Sequence, residues 1–537
     1  MGDTGKAGLT AALWVCLWGI CPAQSQPQDP ACGDEGTTLS ATRYLRALSI
    51  DLRGHLPSLA EYEAVEAAGE VTAADIEGML ESDAFGWQFV AFHRQLLWPY
   101  LGPTLPLSPV ELSLDAGEPW GTGSMLWYRS GGFDTTRLRG APYTGCRDAP
   151  EPDPQNIQPV EMEDGTRREG YVCIRPYFSG SDNDYISHIE TECPDGEYKV
   201  CAYDAQAHLV SPLSGLPCDE LINYQDPGCG CGPDLRWCGG YQWFAEPMIE
   251  SYERQIKWVV DHDRPYYELL TEAPPYANGE LSHYFQHAAS YLGANMPISA
   301  AAIPPMDYAA DADEWVPLRV GPHARGVLTH PVFLGRFMTQ RGRADRYYNA
   351  FLCQPFQPPE GGIEVSGPAD PDLQERQGCK YCHSIIEPAG AHWGRYGEYG
   401  ADYLDPGRFP SFDAECLQCA ITGDLCSPRC QTHYITEAPT GTELPWLGYL
   451  NAFLYRREAH VANIEAGPAL MVRRHIVDGR LARCAAQNTV AWLTGRTPTT
   501  DEMGWVEALG VDFAESDFDF KRLVAAIVSS EFYRRVR

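Results

Sequence analysis

The chain has 537 residues, of which 44% are hydrophobic and 21% charged. That balance excludes a disordered polymer and leaves room for two to four folded units. A formal net charge of −33 would repel nucleic acid and anionic lipid, so neither is expected as a partner; its plain role is solubility, and a basic redox protein is the macromolecule it would still attract.

In chain order, the first signal is the apolar run "AGLTAALWVCLWGICPA" after Lys6. It is too short for a stable span and ends in small residues. It reads as a secretory signal over 1–23, cut after Ala23. No other stretch reaches about 18 uninterrupted apolar residues, so no integral span is expected in the mature chain.

A helical unit is predicted over 36–110. "LSATRYLRALSIDLRGHLPSLAEYEAVEAAG" breaks at 53–57 and restarts at Ser58, with Glu61 three residues on as a capping box. Thr72 and Asp75 repeat that start signal. "DAFGWQFVAFHRQLLWPYL" is a third, strongly apolar helix that stops before Gly102 and Pro103.

Over 111–240 the texture turns to Gly, Pro, Asp and Tyr, with Cys146, Cys173, Cys193, Cys201, Cys218, Cys229, Cys231 and Cys238. This is predicted to be a loop-and-strand insertion stapled by disulfides, because long loops without a core need such ties. Within it "GSDNDY" at 180–185 offers carboxylates to a calcium ion, but it lacks the ligand ladder of an EF-hand loop and reads as a solvated turn.

Helical period resumes over 241–320. His283 and His287 stand four residues apart, a metal-ligand spacing, yet without the acidic residue a metalloprotease helix places between them. They are read as core or interhelix histidines. "DYAADADEW" at 307–315 is acidic enough for a cation, as many loops are.

The unit over 321–440 carries the chemistry. After "HARGVLTHPVFLGRFMTQRGRADRYYNAFLCQPFQPPEGG" comes "GCKYCHSII". Pro371 marks a first helical position, so a helix is predicted from there to Ile386, ended by Glu387 and Pro388. That helix would carry Cys379, Cys382 and His383 near its end on one face, since residues three and four apart are neighbours. The pattern C-x-x-C-H reads as a c-type haem attachment site: two thiols for thioether bonds and one imidazole for the iron. Cys416, Cys419, Cys426 and Cys430, with His433 nearby, hold enough thiolate for zinc or an iron–sulfur cluster. Export and the short spacing favour two disulfides instead. Over 441–537 the chain is again helical, with Thr499 and Glu502, then Ser516 and Asp519, as capping pairs.

Of nineteen cysteines, Cys16 and Cys21 leave with the signal and Cys379 and Cys382 are assigned to haem, so fifteen remain. Cys32, Cys353 and Cys484 are scattered, and the pairing is not readable from spacing.

Several stretches, in order, resemble the planctomycete-type cytochrome-C-like multidomain proteins, an exported bacterial group. These are "RALSIDLRGHLPSLAEYEAV", "ESDAFGWQFVAFHRQLLW", "DRPYYELLTEAPPYANGELSHYF", "ARGVLTHPVFLGRF" with "GCKYCHSIIEPAGAHWGRYGEYG", and "CAAQNTVAWLTGRTPTTDE". Glu387 stands where that group usually has Asp, and Ala389 where Leu is common. The resemblance implies a mainly α chain of several helical units with a cytochrome-c-like haem segment. It also implies one covalent haem c on Cys379 and Cys382 with iron on His383, and a periplasmic or extracellular place.

The function expected is single-electron transfer to a redox partner protein. The sixth iron position is left among Met471, His392, His433, His460 and His475, or open. An open position would instead make a haem enzyme using peroxide or oxygen, with Arg395 beside His392 as a distal candidate. A non-catalytic surface or assembly protein, with the Cys-rich insertion as binder and a vestigial motif, is the third reading. A phosphate loop, a nucleophile elbow and a zincin motif are all absent from the sequence.

Overall fold

The computed structural model describes residues 38–101, 244–288, 296–308, 310–356, 372–439, 441, 443–451 and 457–536, with short pieces of 114–235 between the first two. The predicted secretory signal at 1–23, the acidic stretch at 180–185, and Cys32, Cys146, Cys229, Cys231 and Cys238 lie outside the described residues.

The first unit follows its caps. Helix α1 (Ala41–Arg53) stops at Gly54, whose φ of 74° is the left-handed conformation that ends helices cheaply. Ser58 and Glu61 close the predicted capping box on α2 (Leu59–Ala68), and Thr72 and Asp75 do the same on α3 (Ala73–Leu80). Ser82 caps α4 (Asp83–Leu97) through the Phe85 amide. Helix α1 buries Tyr44, Leu45, Leu48 and Leu52, the stripe its helical period requires.

The insertion contains a five-stranded sheet. Its strands are β1 (Leu114–Ala116), β2 (Leu126–Tyr128), β3 (Gln158–Glu161), β4 (Arg167–Ile174) and β5 (Tyr198–Cys201), in the order β1-β2-β5-β4-β3. Pairing is antiparallel except for the β2–β5 step. Cys173 on β4 is bonded to Cys193, and Cys218 is also disulfide-bonded, as a stapled insertion requires.

The long helix α5 (Ala245–Asp261) buries one face against α4. It leads to α6 (Glu268–Thr271), the short strand β6 (Tyr276–Ala277) and α7 (Gly279–His283), with β7 (Val316–Pro317) pairing back on β6. A π-turn over Tyr284–Ala288 follows α7, so His283 and His287 do not share one regular helix. His283 is buried and its ring stacks on Tyr177 at 3.8 Å between centroids. In the acidic loop, Asp311 accepts from the Asp307 amide and Asp307 from the Ala310 amide, so both carboxylates cap their own turn.

Helices α8 (Pro331–Arg336), α9 (Gln340–Leu352) and α10 (Lys380–Gly390) come next, then α11 (Ala414–Thr422) and α12 (Pro428–His433) of the Cys-rich extension. The chain closes with α13 (Glu458–Val477), α14 (Arg480–Thr494), α15 (Met503–Glu515), α16 (Phe520–Ser529) and α17 (Glu531–Val536). Gly467, at φ 65°, and Pro468 kink α13 in its middle. Thr499 and Glu502 form their capping box. Ser516 does not pair with Asp519 as expected: left-handed Asp517 and Phe518 intervene, and Asp519 alone caps α16 through the Arg522 amide.

The architecture is mainly helical, and one apolar core runs through both ends of it. Phe92 of α4 stacks on Trp492 of α14 at 4.9 Å, and Phe89 meets Phe520 of α16 edge-on at 4.7 Å. Tyr44 donates its hydroxyl to the Val528 carbonyl at 2.8 Å, and the Leu39 amide reaches the Arg534 carbonyl at 3.2 Å. Among the described residues no helix is long and apolar enough to cross a membrane.

Candidate functional site

The helix expected from Pro371 to Ile386 is displaced. Gly378 takes φ 83°, which interrupts the turns over 373–379, and the helix α10 begins at Lys380 with Cys379 as its cap residue. It also runs through Pro388 to Gly390 instead of ending before it. Pro388 has no amide to give to the helix ladder, and its own carbonyl accepts from Asn463 Nδ2 of α13 at 2.9 Å. Cys379, Cys382 and His383 therefore occupy the first turn of the helix, not its end. The Cys382 and His383 amides both close onto the Cys379 carbonyl, at 3.2 and 3.1 Å.

Cys379 and Cys382 are half-buried and are the free cysteines among the described residues. The contrast with their neighbours is direct. Cys416 bonds Cys430, Cys419 bonds Cys426, and the scattered pair Cys353 and Cys484 is joined across 131 residues of chain. The four cysteines read as two disulfides rather than a zinc or iron–sulfur cluster are thus bonded to one another. Asp413 lies close enough to Cys416 and Cys430 to make a three-ligand cluster. Its carboxylate is already used, accepting from the Cys416 amide at 3.1 Å and pairing with Arg429 at 2.5 Å.

His383 is fixed from one side. Its Nδ1–H donates to Glu387 Oε1 at 2.5 Å, one helical turn on. Arg341 of α9 brings Nε to the same oxygen at 3.0 Å and a terminal nitrogen to 2.9 Å. The Glu387 side chain is 5% exposed while that of His383 is 23% exposed, so the carboxylate is withdrawn from water and the imidazole is in partial contact with it. Oε2 of Glu387 is buried and has no hydrogen-bond partner among the described residues. Tyr381 and Ile385, on the outer face of the same helix, are 62% and 45% exposed.

The remaining candidates are placed as follows. Met471 is buried in the main core. His475 lies under the Tyr347 ring with Nδ1 at 2.9 Å from its hydroxyl, and burial pulls the imidazole down to about 4. His392 donates Nδ1–H to the Gly467 carbonyl at 2.7 Å and is likewise lowered by burial to about 4. His433 packs edge-on against Phe409. His460 is buried with Nδ1 unpartnered among the described residues, three residues before the Asn463 that holds Pro388. Arg395 is fully engaged: it forks onto Glu465 at 2.7 and 2.8 Å and donates to the Leu404 and Phe409 carbonyls at 2.9 Å, leaving no group to serve as a distal acid.

Sequence reasoning missed Arg343, although it supports the same region. Its guanidinium is completely buried and donates to the Phe337, Tyr396, Leu334, Gly397 and Gly400 carbonyls at 2.7–3.2 Å. Nothing in its spacing distinguishes it from Arg341 two residues earlier.

The cavities among the described residues include one of about 610 Å³ between α3, α5 and α16, and a groove of about 1220 Å³ along α11 and the loop after α12. Neither is lined by Cys379, Cys382 or His383. No family model, curated protein or solved structure matches the chain.

Proposed function

We propose that this chain is an exported c-type haem protein that passes single electrons through one haem held by Cys379, Cys382 and His383. The observation that carries the reading is the pair of free thiols on the first turn of α10, in a chain whose neighbouring cysteines are bonded to one another. A vicinal pair left reduced beside a histidine is the donor set that thioether attachment needs. Each thiol would add across one vinyl group, its sulfur bonding one carbon and its hydrogen ending on the next, so no oxidant is consumed.

When bound, the haem supplies the one-electron ferric–ferrous couple. The rest is the work of the polypeptide. Cys379 and Cys382 tether the group against loss in a compartment where it would not be recovered. His383 presents Nε2, the nitrogen that Glu387 does not hold. Tyr381 and Ile385 are the exposed large hydrophobic side chains of α10, one turn apart on a face of their own. The disulfides and the lack of a membrane-length helix among the described residues are compatible with a periplasmic or extracellular protein. The excess of acidic groups fits a basic redox protein as the electron partner.

Expression in a bacterial host with the c-type maturation machinery tests this. The purified chain should carry about 616 Da beyond its polypeptide mass and keep a haem stain after denaturation. Replacing Cys379 and Cys382 by Ala should abolish both. A colourless wild-type product, or a Cys379–Cys382 disulfide in its peptide map, would refute the assignment.

A further inference from the structure

The Glu387 carboxylate has no role in thioether attachment, yet the fold spends effort on it. It is buried, it receives the imidazole of His383 and the guanidinium of Arg341 on one oxygen, and its second oxygen is sealed without a partner among the described residues. An ordinary i,i+4 surface pair would lie in water and hold neither group in place. Here the imidazole is offered a single acceptor, and that acceptor carries a charge.

We propose, resting on the haem reading above, that Glu387 is a positioning residue for His383. It holds the ring as the Nδ1–H tautomer with Nε2 turned outward, and as an anionic partner it strengthens His383 as an electron donor to iron. A ligating histidine whose other nitrogen is bonded to a carboxylate is more basic than one bonded to a neutral carbonyl. The ferric state is stabilised by such a donor, so the couple moves to lower potential. Arg341 opposes this, because it shares the same oxygen and withdraws part of the charge. The structure therefore contains both a device that lowers the potential and its counterweight, two side chains apart.

The test uses the full chain in wild-type, Glu387→Gln, Glu387→Ala and Arg341→Gln forms. The first readout is the midpoint potential of the matured proteins, after a haem stain shows equal attachment. Glu387→Gln keeps an acceptor and removes the charge. At a fixed applied potential it should lower the ferric-to-ferrous ratio about tenfold, a rise of about 59 mV for one electron. Arg341→Gln should move the potential the other way. A purely structural role would lower denaturant midpoints and leave both potentials where they were, and that result overturns the proposal.

The second readout needs no haem. Histidine-selective ¹⁵N spectra, taken where the ring is neutral, should show His383 as the Nδ1–H tautomer in the wild type and shifted toward Nε2–H in Glu387→Ala. An Nε2–H tautomer in the wild type overturns the positioning role. Failure of attachment in the wild type would instead sink the haem reading, and the tautomer would still decide this one.

Discussion

Arg343 carries its charge where water does not reach, and the five carbonyls around it are what make this tolerable. Burial pulls its guanidinium down to about 9, against the opposing pull of Glu398, Tyr396 and Asp402. These carbonyls belong to the end of α8 and to the turn after α10, so one side chain pins the loop that follows α10. Arg343→Met fills much of the same space but strands the acceptors, and a loss of about 3–5 kcal/mol is expected. Lys cannot reproduce the fork and should do little better. Urea denaturation with unchanged slope reads this directly, and a loss below about 1 kcal/mol would show that the carbonyls find other partners. The contrast with Cys379, Cys382 and His383 is instructive. The grouping of those three on one helical turn was legible because it is written in short-range spacing. Arg343 was not, because its partners lie up to 57 residues away in the chain and only packing gathers them.

At the scale of elements, the starts of helices were the most readable feature. Ser58 with Glu61, Thr72 with Asp75 and Thr499 with Glu502 all close as capping boxes, since a cap is settled by side chains within one turn. The start of α10 was misplaced for the complementary reason. Pro371 offered a start signal, but Gly378 could adopt the left-handed conformation at little cost and broke the turn just before the motif. The pairing of Cys353 with Cys484 was equally hidden, being a contact between the end of α9 and the middle of α14. It closes a loop of 131 residues, for which the chain-entropy relation gives about 5 kcal/mol. Replacing both cysteines by Ala should cost stability of that order, read as a lowered urea midpoint. A double variant as stable as the wild type would mean that the packing of α9 on α14 suffices alone.

Across the whole molecule, buried histidines tie stability to pH. His93 donates Nδ1–H to the Phe89 carbonyl and accepts from the Tyr266 hydroxyl, and burial lowers it to about 4. His330 is lowered by burial to about 3. Both are neutral in the folded chain, whereas the unfolded chain takes up protons on them near pH 6.5. Below that value the unfolded state binds more protons, so stability should hold above about pH 6.5, then fall as the solution is acidified toward 4, with His330 extending the loss toward 3. Denaturation midpoints at pH 7.5, 5.5 and 4.5 follow the descent, and a flat profile over that interval would contradict it.

The meeting of Tyr44 with Val528, and of Leu39 with Arg534, sets an order of events on the polypeptide as it is made. Helix α1 finds its seat only once α16 and α17 have been made, so the apolar core they share closes late in synthesis. Cys379 and Cys382 emerge well before that closure. On the haem reading proposed above, an enzyme that attaches the group would reach both sulfurs before that seam of helices closes.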